Sequence, residues 1–165
     1  FFVSPHAVKM LETIKFSYLR LGDIRKNISS VEPILRDSNM LSLDISSISS
    51  AYAKANNYCS PNGLNGNEIC KLLFYAGVSD KLKSFGIFEY NQNLDQDDQT
   101  AKLISQIIWY FLEGFQSRVS EEIPSSKNLI FYNVTGENDT NNMVFCKSKL
   151  SNRWWIVMKL SLIHI

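Results

Sequence analysis

Two carboxylates end two apolar runs. Asp44 stands at the end of MLSLDI, residues 40–45, and Glu89 near the end of SFGIFEY, residues 84–90. In open parallel sheets, ligands gather outside the carboxyl ends of the strands. Both acids would stand there if the two runs are neighbouring strands. One reading makes them site residues, with Asp44 a ligand for a divalent cation. The other makes Asp44 a loop-anchoring Asx turn and Glu89 a solvated strand end. The pattern alone favours the second, because a hard divalent site needs several carboxylates or imidazoles that converge.

The remaining reactive side chains add little. His6 and His164 lie near the two termini, outside any HxxxH or DxH spacing, and read as surface or packing histidines. No Cys/His pair, GxSxG or glycine-rich phosphate loop is present. The acidic run LDQDDQ, residues 94–99, reads as negative charge at the start of a helix, where the dipole favours it. Trp154-Trp155 reads as one inward and one outward tryptophan of an edge strand. Arg20 and Arg25 flank a predicted strand end, where either an anionic ligand or a surface salt bridge would suit them.

Composition sets the class. The chain has 165 residues, 45% of them apolar, and a net charge of +1. That is enough for one domain with a real core, and nothing in the charge steers nucleic acid or an anionic membrane. No apolar stretch reaches the ~18 residues of a membrane span. Three separated cysteines, Cys59, Cys70 and Cys146, fit a reduced cytoplasmic protein better than a disulfide framework. Glycosylation triplets at Asn27, Asn133 and Asn138 read as chance in an Asn- and Ser-rich chain. A start at Phe-Phe suggests a fragment of something longer.

The elements that must position the two acids follow from pattern. Ser4-Pro5 opens a short helix as cap and first residue. Residues 16–21, FSYLRL, alternate and predict a strand ending at Gly22-Asp23; VEPILRD predicts a brief helical turn. Residues 40–45 predict a buried strand. The polar segment 46–63 predicts a long loop. Asn65 and Glu68 have capping-box spacing before a helix closed by Gly77. Residues 84–90 predict another strand, and residues 98–118 the longest helix, with Leu103, Ile107, Tyr110, Phe111 and Phe115 at helical spacing. Strand, helix, strand, helix is the signature of a parallel sheet with covering helices. Beyond Pro124, NLIFYNV, NMVFCKS and RWWIVM predict three antiparallel strands joined by turns such as GENDTNN.

Three of these pieces resemble the arginase/agmatinase/formimidoylglutamase (ureohydrolase) superfamily. SLDISSIS is similar to its SxDxDxxDP segment. Residues 62–68, NGLNGNE, resemble GGLTxxE. SFGIFEYN, followed by Asp95 and Thr100-Ala101, resembles its glutamate-Asn strand end and TA-bearing helix. The order and intervals agree. FSYLRLGDIR, VEPILRDSNMLSLD and IIWYFLEGF look closest to the bacterial formimidoylglutamase-like branch. The closing KLSLIHI does not continue the family-like RWW ending.

The resemblance implies an α/β fold: a partial three-layer α/β/α arginase-like parallel sheet over residues 1–122, with a β-rich, antiparallel appendage over residues 123–165. It implies a binuclear Mn²⁺ centre that activates hydroxide against linear amidines. Position by position, Asp44 matches a metal-ligand aspartate and Glu89 the glutamate that contacts the substrate amidine. Ser46 stands at a lost ligand position, and Ser49 where the motif's third aspartate would be. Glu68 matches a motif acid whose local role is helix capping. The upstream motifs GGDH and DAHxD are absent from this chain. Two functions stay open: the C-terminal part of a hydrolase of linear amidines such as N-formimidoyl-glutamate, inactive as this chain, or a non-catalytic arginase-fold scaffold or binding subunit. The expected partners are a small-molecule amidine, if the protein is active, and, in a homo-oligomer, further copies of the chain, with neither nucleic acid nor membrane.

Overall fold

Two short parallel strands carry the acids. β1 (Met40–Asp44) pairs with β2 (Ser84–Phe88) in register Leu41↔Phe85, Leu43↔Ile87, Asp44↔Phe88. The computed structural model describes residues 3–119, 126–135, 142–158 and 161–164. Leu41, Leu43, Phe85 and Ile87 alternate along their strands and face one core. Met40, Ser42 and Asp44 between them are exposed. The sequence predicted a buried strand over residues 40–45, but among the described residues only one face of β1 is covered.

Two helices cover that face. α4 (Gly66–Val78) contributes Ile69, Cys70, Leu72, Leu73 and Ala76 to the core, and α5 (Gln99–Gln116) contributes Leu103 and Ile107. The Phe85 and Phe111 rings stack at 5.0 Å. The capping box at the start of α4 is present. Asn65 Oδ1 accepts the Glu68 N–H at 2.8 Å, and Glu68 Oε2 accepts the Asn65 N–H at 2.8 Å. Gly77 does not close α4, however; the helix runs on to Val78, and Ser79 follows with its hydroxyl on the Arg36 carbonyl at 2.8 Å. Gly77 instead faces Gly114 of α5. A Cβ on Gly77 would stand 3.0 Å from Gly114 Cα and 2.9 Å from the Phe115 nitrogen, and closer still to the Phe111 carbonyl oxygen. The glycine is spent on a helix crossing, not on a cap.

The N-terminal segment departs from expectation once. α1 (Pro5–Thr13) starts as predicted, with Ser4 Oγ accepting the Ala7 N–H at 3.2 Å. Residues 16–20 are not a strand. They run without a ladder partner among the described residues into α2 (Leu21–Lys26), which contains Gly22 and Asp23. Alternation alone does not make a strand; the backbone groups need a neighbour. Phe16, Tyr18 and Leu19 are accordingly exposed. The brief helical turn predicted for VEPILRD is present as α3 (Glu32–Asp37), entered through a 3₁₀ turn (Ile28–Val31).

By contact the chain divides into two compact units, residues 1–118 and 119–165. The 122/123 boundary expected from sequence lies outside the described residues, as do Asn138 and the bulk of GENDTNN. The second unit is a meander of β3 (Leu129–Thr135), β4 (Asn142–Ser148), β5 (Trp154–Met158) and β6 (Ser161–His164), all antiparallel. Three strands were expected and four are present, because SLIH of the closing KLSLIHI pairs with β5 and brings His164 opposite Trp155. β5 is therefore an interior strand, not an edge. Trp155 is buried, while Trp154 stacks on Tyr132 at 5.1 Å with Lys147 Nζ 5.5 Å from its ring. The architecture is α/β with a separate antiparallel β unit.

Candidate functional site

Of the two readings of Asp44, the structure shows the loop anchor. It ends β1, and its Oδ1 accepts the Ser46 N–H at 2.8 Å, capping a 3₁₀ turn (Ile45–Ser47). The Ser47 hydroxyl donates to the Asp44 carbonyl at 2.6 Å. The chain turns sharply here because Ile45 and Ile48 are fully buried and pull the backbone inward on both sides of the serines. The loop-anchoring role is thus present, on a residue that stays exposed.

The loop 46–63 is an ordered structure in its own right. Its ends are held by parallel bridges, Ile48↔Leu64 and Ser49↔Ser60. Ser49 donates its N–H to the Leu64 carbonyl at 2.9 Å and its hydroxyl to the Pro61 carbonyl at 2.9 Å. Gly63 lies against this crossing; a Cβ there would meet the Ser49 nitrogen at 2.5 Å and the Ser47 oxygen at 2.6 Å. The middle of the loop is tied to α5. The buried Thr100 hydroxyl accepts the Lys54 and Ala55 N–H groups at 3.1 and 3.2 Å, and Gln99 Nε2 donates to the Ala51 carbonyl at 2.8 Å. The Asn91 N–H reaches the Ala55 carbonyl at 2.8 Å, joining the loop to the chain just past β2.

Glu89 is the residue after Phe88, whose register partner is Asp44, so the two acids leave adjacent strand tips one step apart. Its φ is 65°, the left-handed region that a long side chain rarely adopts. Glu89 is exposed, and its carboxylate has no partner among the described residues. An unpartnered acid held at a strained backbone angle is the kind of outlier that function keeps. Glu89→Gly is expected to raise unit stability by about 0.5–1 kcal/mol by relieving the angle, while removing the carboxylate from the site. Denaturant titration checks it; a loss of stability would mean that the side chain serves packing.

Asp95, named in the sequence both within the acidic run and ahead of Thr100-Ala101, caps the long helix. Its carboxylate accepts the Thr100 and Ala101 N–H groups at 2.9 and 2.8 Å and the Tyr90 hydroxyl at 3.1 Å. Partial burial by itself would raise its pKa, but the hydrogen bonds from Thr100, Ala101 and Tyr90 outweigh that and hold it below the ordinary carboxylate range. Asp97 and Asp98, with φ 60° and 55°, turn the chain into α5. The acidic run therefore works through one direct cap rather than through its summed charge. The signal for it was the Asp95…Thr100-Ala101 spacing. Arg25 takes the salt-bridge alternative: Nε lies 3.1 Å from Glu68 Oε1, and Nη2 donates to the Gly63 carbonyl at 2.7 Å.

A model of the arginase family matches residues 3–113. The chain belongs to the arginase family. Arginase-fold structures agree. A formiminoglutamase from Trypanosoma cruzi solved with Mn²⁺ superposes at TM-score 0.65 with 17% identity, over 70% of this chain and 42% of that one. The formimidoylglutamase of Bacillus subtilis gives 0.64 at 19% identity, over 70% and 38%. The arginase of Bacillus caldovelox gives 0.59 at 16%, over 66% and 39%. No curated protein matches by sequence. The chain spans about two fifths of the length of these structures.

The residues present do not make an arginase-family metal centre. Among the described residues no three of His, Cys, Asp and Glu converge. Ser46, at the lost ligand position, offers a neutral hydroxyl, and its N–H is already on Asp44. The Ser49 hydroxyl is committed to the Pro61 carbonyl. His6 is exposed on α1, and His164 belongs to the other unit. No helix of the described residues is long and apolar enough to cross a membrane, and the three cysteines are free.

Proposed function

We propose that this chain is the C-terminal part of a ureohydrolase whose parent acts on linear amidines, as formimidoylglutamases do. One observation carries the reading: Asp44 and Glu89 leave paired parallel strand tips at the family's motif positions, with the Glu89 carboxylate unpartnered among the described residues. In this reading Glu89 receives the cationic amidine through charge-assisted hydrogen bonds. Asp44 is one anionic ligand for Mn²⁺, and the remaining ligands come from upstream motifs. The chain alone is inactive. The parent is a cytoplasmic protein with a small-molecule amidine as partner and neither nucleic acid nor membrane, and copies of it associate.

A second reading is favoured by Ser46 and Ser49. Both stand where the motif has acids, and both are built into the loop as hydrogen-bonding residues. On that reading the chain is an arginase-fold scaffold or binding subunit that has given up the metal. The upstream sequence separates the two. With an intact DAHxD motif, the extended protein should release glutamate from N-formimidoyl-glutamate, and Glu89→Gln should cut that rate. A parent that lacks the motif and hydrolyses no amidine leaves only the scaffold.

For the chain itself, calorimetric titration with Mn²⁺ is expected to give a dissociation constant no tighter than about 1 mM, for want of ligand charge. A stoichiometric micromolar site would overturn that.

A further inference from the structure

Beside the strand tips lies a cleft of about 730 Å³, walled by α1, by residues 18–24 and by both ends of the loop 46–63. Such a volume is in the range of small-molecule sites. Its walls are set by named bonds. Tyr18 Oη donates to Glu12 Oε1 at 3.3 Å, which ties residues 16–20 to α1. Arg25 on the Gly63 carbonyl ties α2 to the loop. The lining is mainly apolar, with Leu11, Leu19, Leu21, Ile24 and Leu64 along it. Leu19 is 42% exposed although it faces this apolar wall.

One lining residue is charged. The Arg20 guanidinium makes no hydrogen bond or ion pair among the described residues, and no acid lines the cleft. The nearby acids are engaged elsewhere: Glu12 with Tyr18, Asp23 with Lys26, Glu68 with Arg25, and Asp44 with the Ser46 N–H. Ser46, Ser47 and Asn62 add neutral polar groups at the loop side. An apolar trough with a single uncompensated cation selects a ligand with an apolar body and one negative end.

We propose that this cleft binds a medium-chain aliphatic monocarboxylate, its carboxylate on Arg20 and its chain along Leu11, Leu19, Leu21 and Leu64. A dicarboxylate would bring a second charge with no cation to meet it. An alkylamine would set its charge against Arg20. The site needs neither a metal nor Glu89, so it stands or falls apart from the amidine reading.

Calorimetry on the full chain tests it with hexanoate, octanoate and decanoate below their micelle-forming concentrations, beside octanol and octylamine. Affinity should rise about fourfold per methylene, octanoate should exceed octanol about fivefold or more, and octylamine should bind weakest. Arg20→Gln, at an exposed position, should bring octanoate down to the level of octanol and leave octanol unchanged. Leu19→Glu, which places a carboxylate in the trough at a half-exposed position, should abolish octanoate binding while the far-UV spectrum stays native. Equal affinity for octanoate and octanol, no dependence on chain length, or an Arg20→Gln variant that keeps the preference for the acid would each overturn the proposal.

Discussion

Gly114→Ala is expected to lower the melting temperature of the first unit by on the order of 10 °C. Alanine is the better helix former by about 1 kcal/mol, so propensity alone predicts a gain. The crossing decides otherwise. A Cβ on Gly114 would lie 3.1 Å from Gly77 Cα and closer still to the Phe74 carbonyl oxygen. Both are backbone atoms of α4, which no rotamer change can move. The helices must separate, and Leu73, Leu103 and Ile107, buried in the core that α4 and α5 share, then lose contact. Overpacking of this kind costs about 1–3 kcal/mol, and backbone contact puts it at the upper end, beyond the propensity gain. For a unit of this size each kcal/mol moves the midpoint by about 4–8 °C. Gly22→Ala is the control. Nothing lies within 4 Å of its added Cβ, and it sits within α2, so it should be neutral or slightly stabilising. Thermal melts followed by far-UV circular dichroism compare the two. Equal midpoints would show that α4 and α5 do not meet as closely as described.

The second large effect is Asp95→Ala. Asp95 accepts two N–H groups of the first turn of α5, one of them that of Thr100, whose hydroxyl receives Lys54 and Ala55 of the loop. One carboxylate thus holds the start of the helix and, through a buried threonine, the middle of the loop. Loss of a cap of this type costs about 1–2 kcal/mol. The sign with pH follows from the lowered pKa. A carboxylate whose folded pKa is depressed contributes stability that is fully present above its unfolded value, near 3.9. That contribution is lost as pH falls through the folded value. The wild-type chain should therefore lose stability on acidification below about pH 4, and Asp95→Ala should start lower at neutral pH and show a shallower acid loss. Urea midpoints from pH 7 to pH 2.5 read both. Parallel acid profiles would mean that the carboxylate is as free in the folded chain as in the unfolded one.

Local chemistry was legible. The cap at Ser4, the capping box of Asn65 and Glu68, the two strands that carry Asp44 and Glu89 and the long helix of residues 98–118 depend on residues a few positions apart, and all formed. The motif intervals that suggested the arginase family are distances along the chain, so they too were present before any fold. For Asp44, sequence could state both roles but not choose. The cap on Ser46 is visible only once Ile45 and Ile48 are buried.

The elements that sequence misread are those whose state depends on something distant. Residues 16–20 alternate like a strand, yet a strand is defined by a neighbour, and none pairs with them among the described residues. KLSLIHI offered no reading of its own, yet four of its residues become β6 because β5 presents a free ladder to them. Gly77 has the local sense of a stop. Its use is set by Gly114, 37 positions away along the chain, through the closeness of two helices. By itself the sequence determined which segments coil or extend, and which family they spell, because those follow from near neighbours. The tertiary structure alone decided the pairing of strands, the crossing of helices and the cleft beside Arg20, because contact between distant residues exists only after the chain has closed on itself.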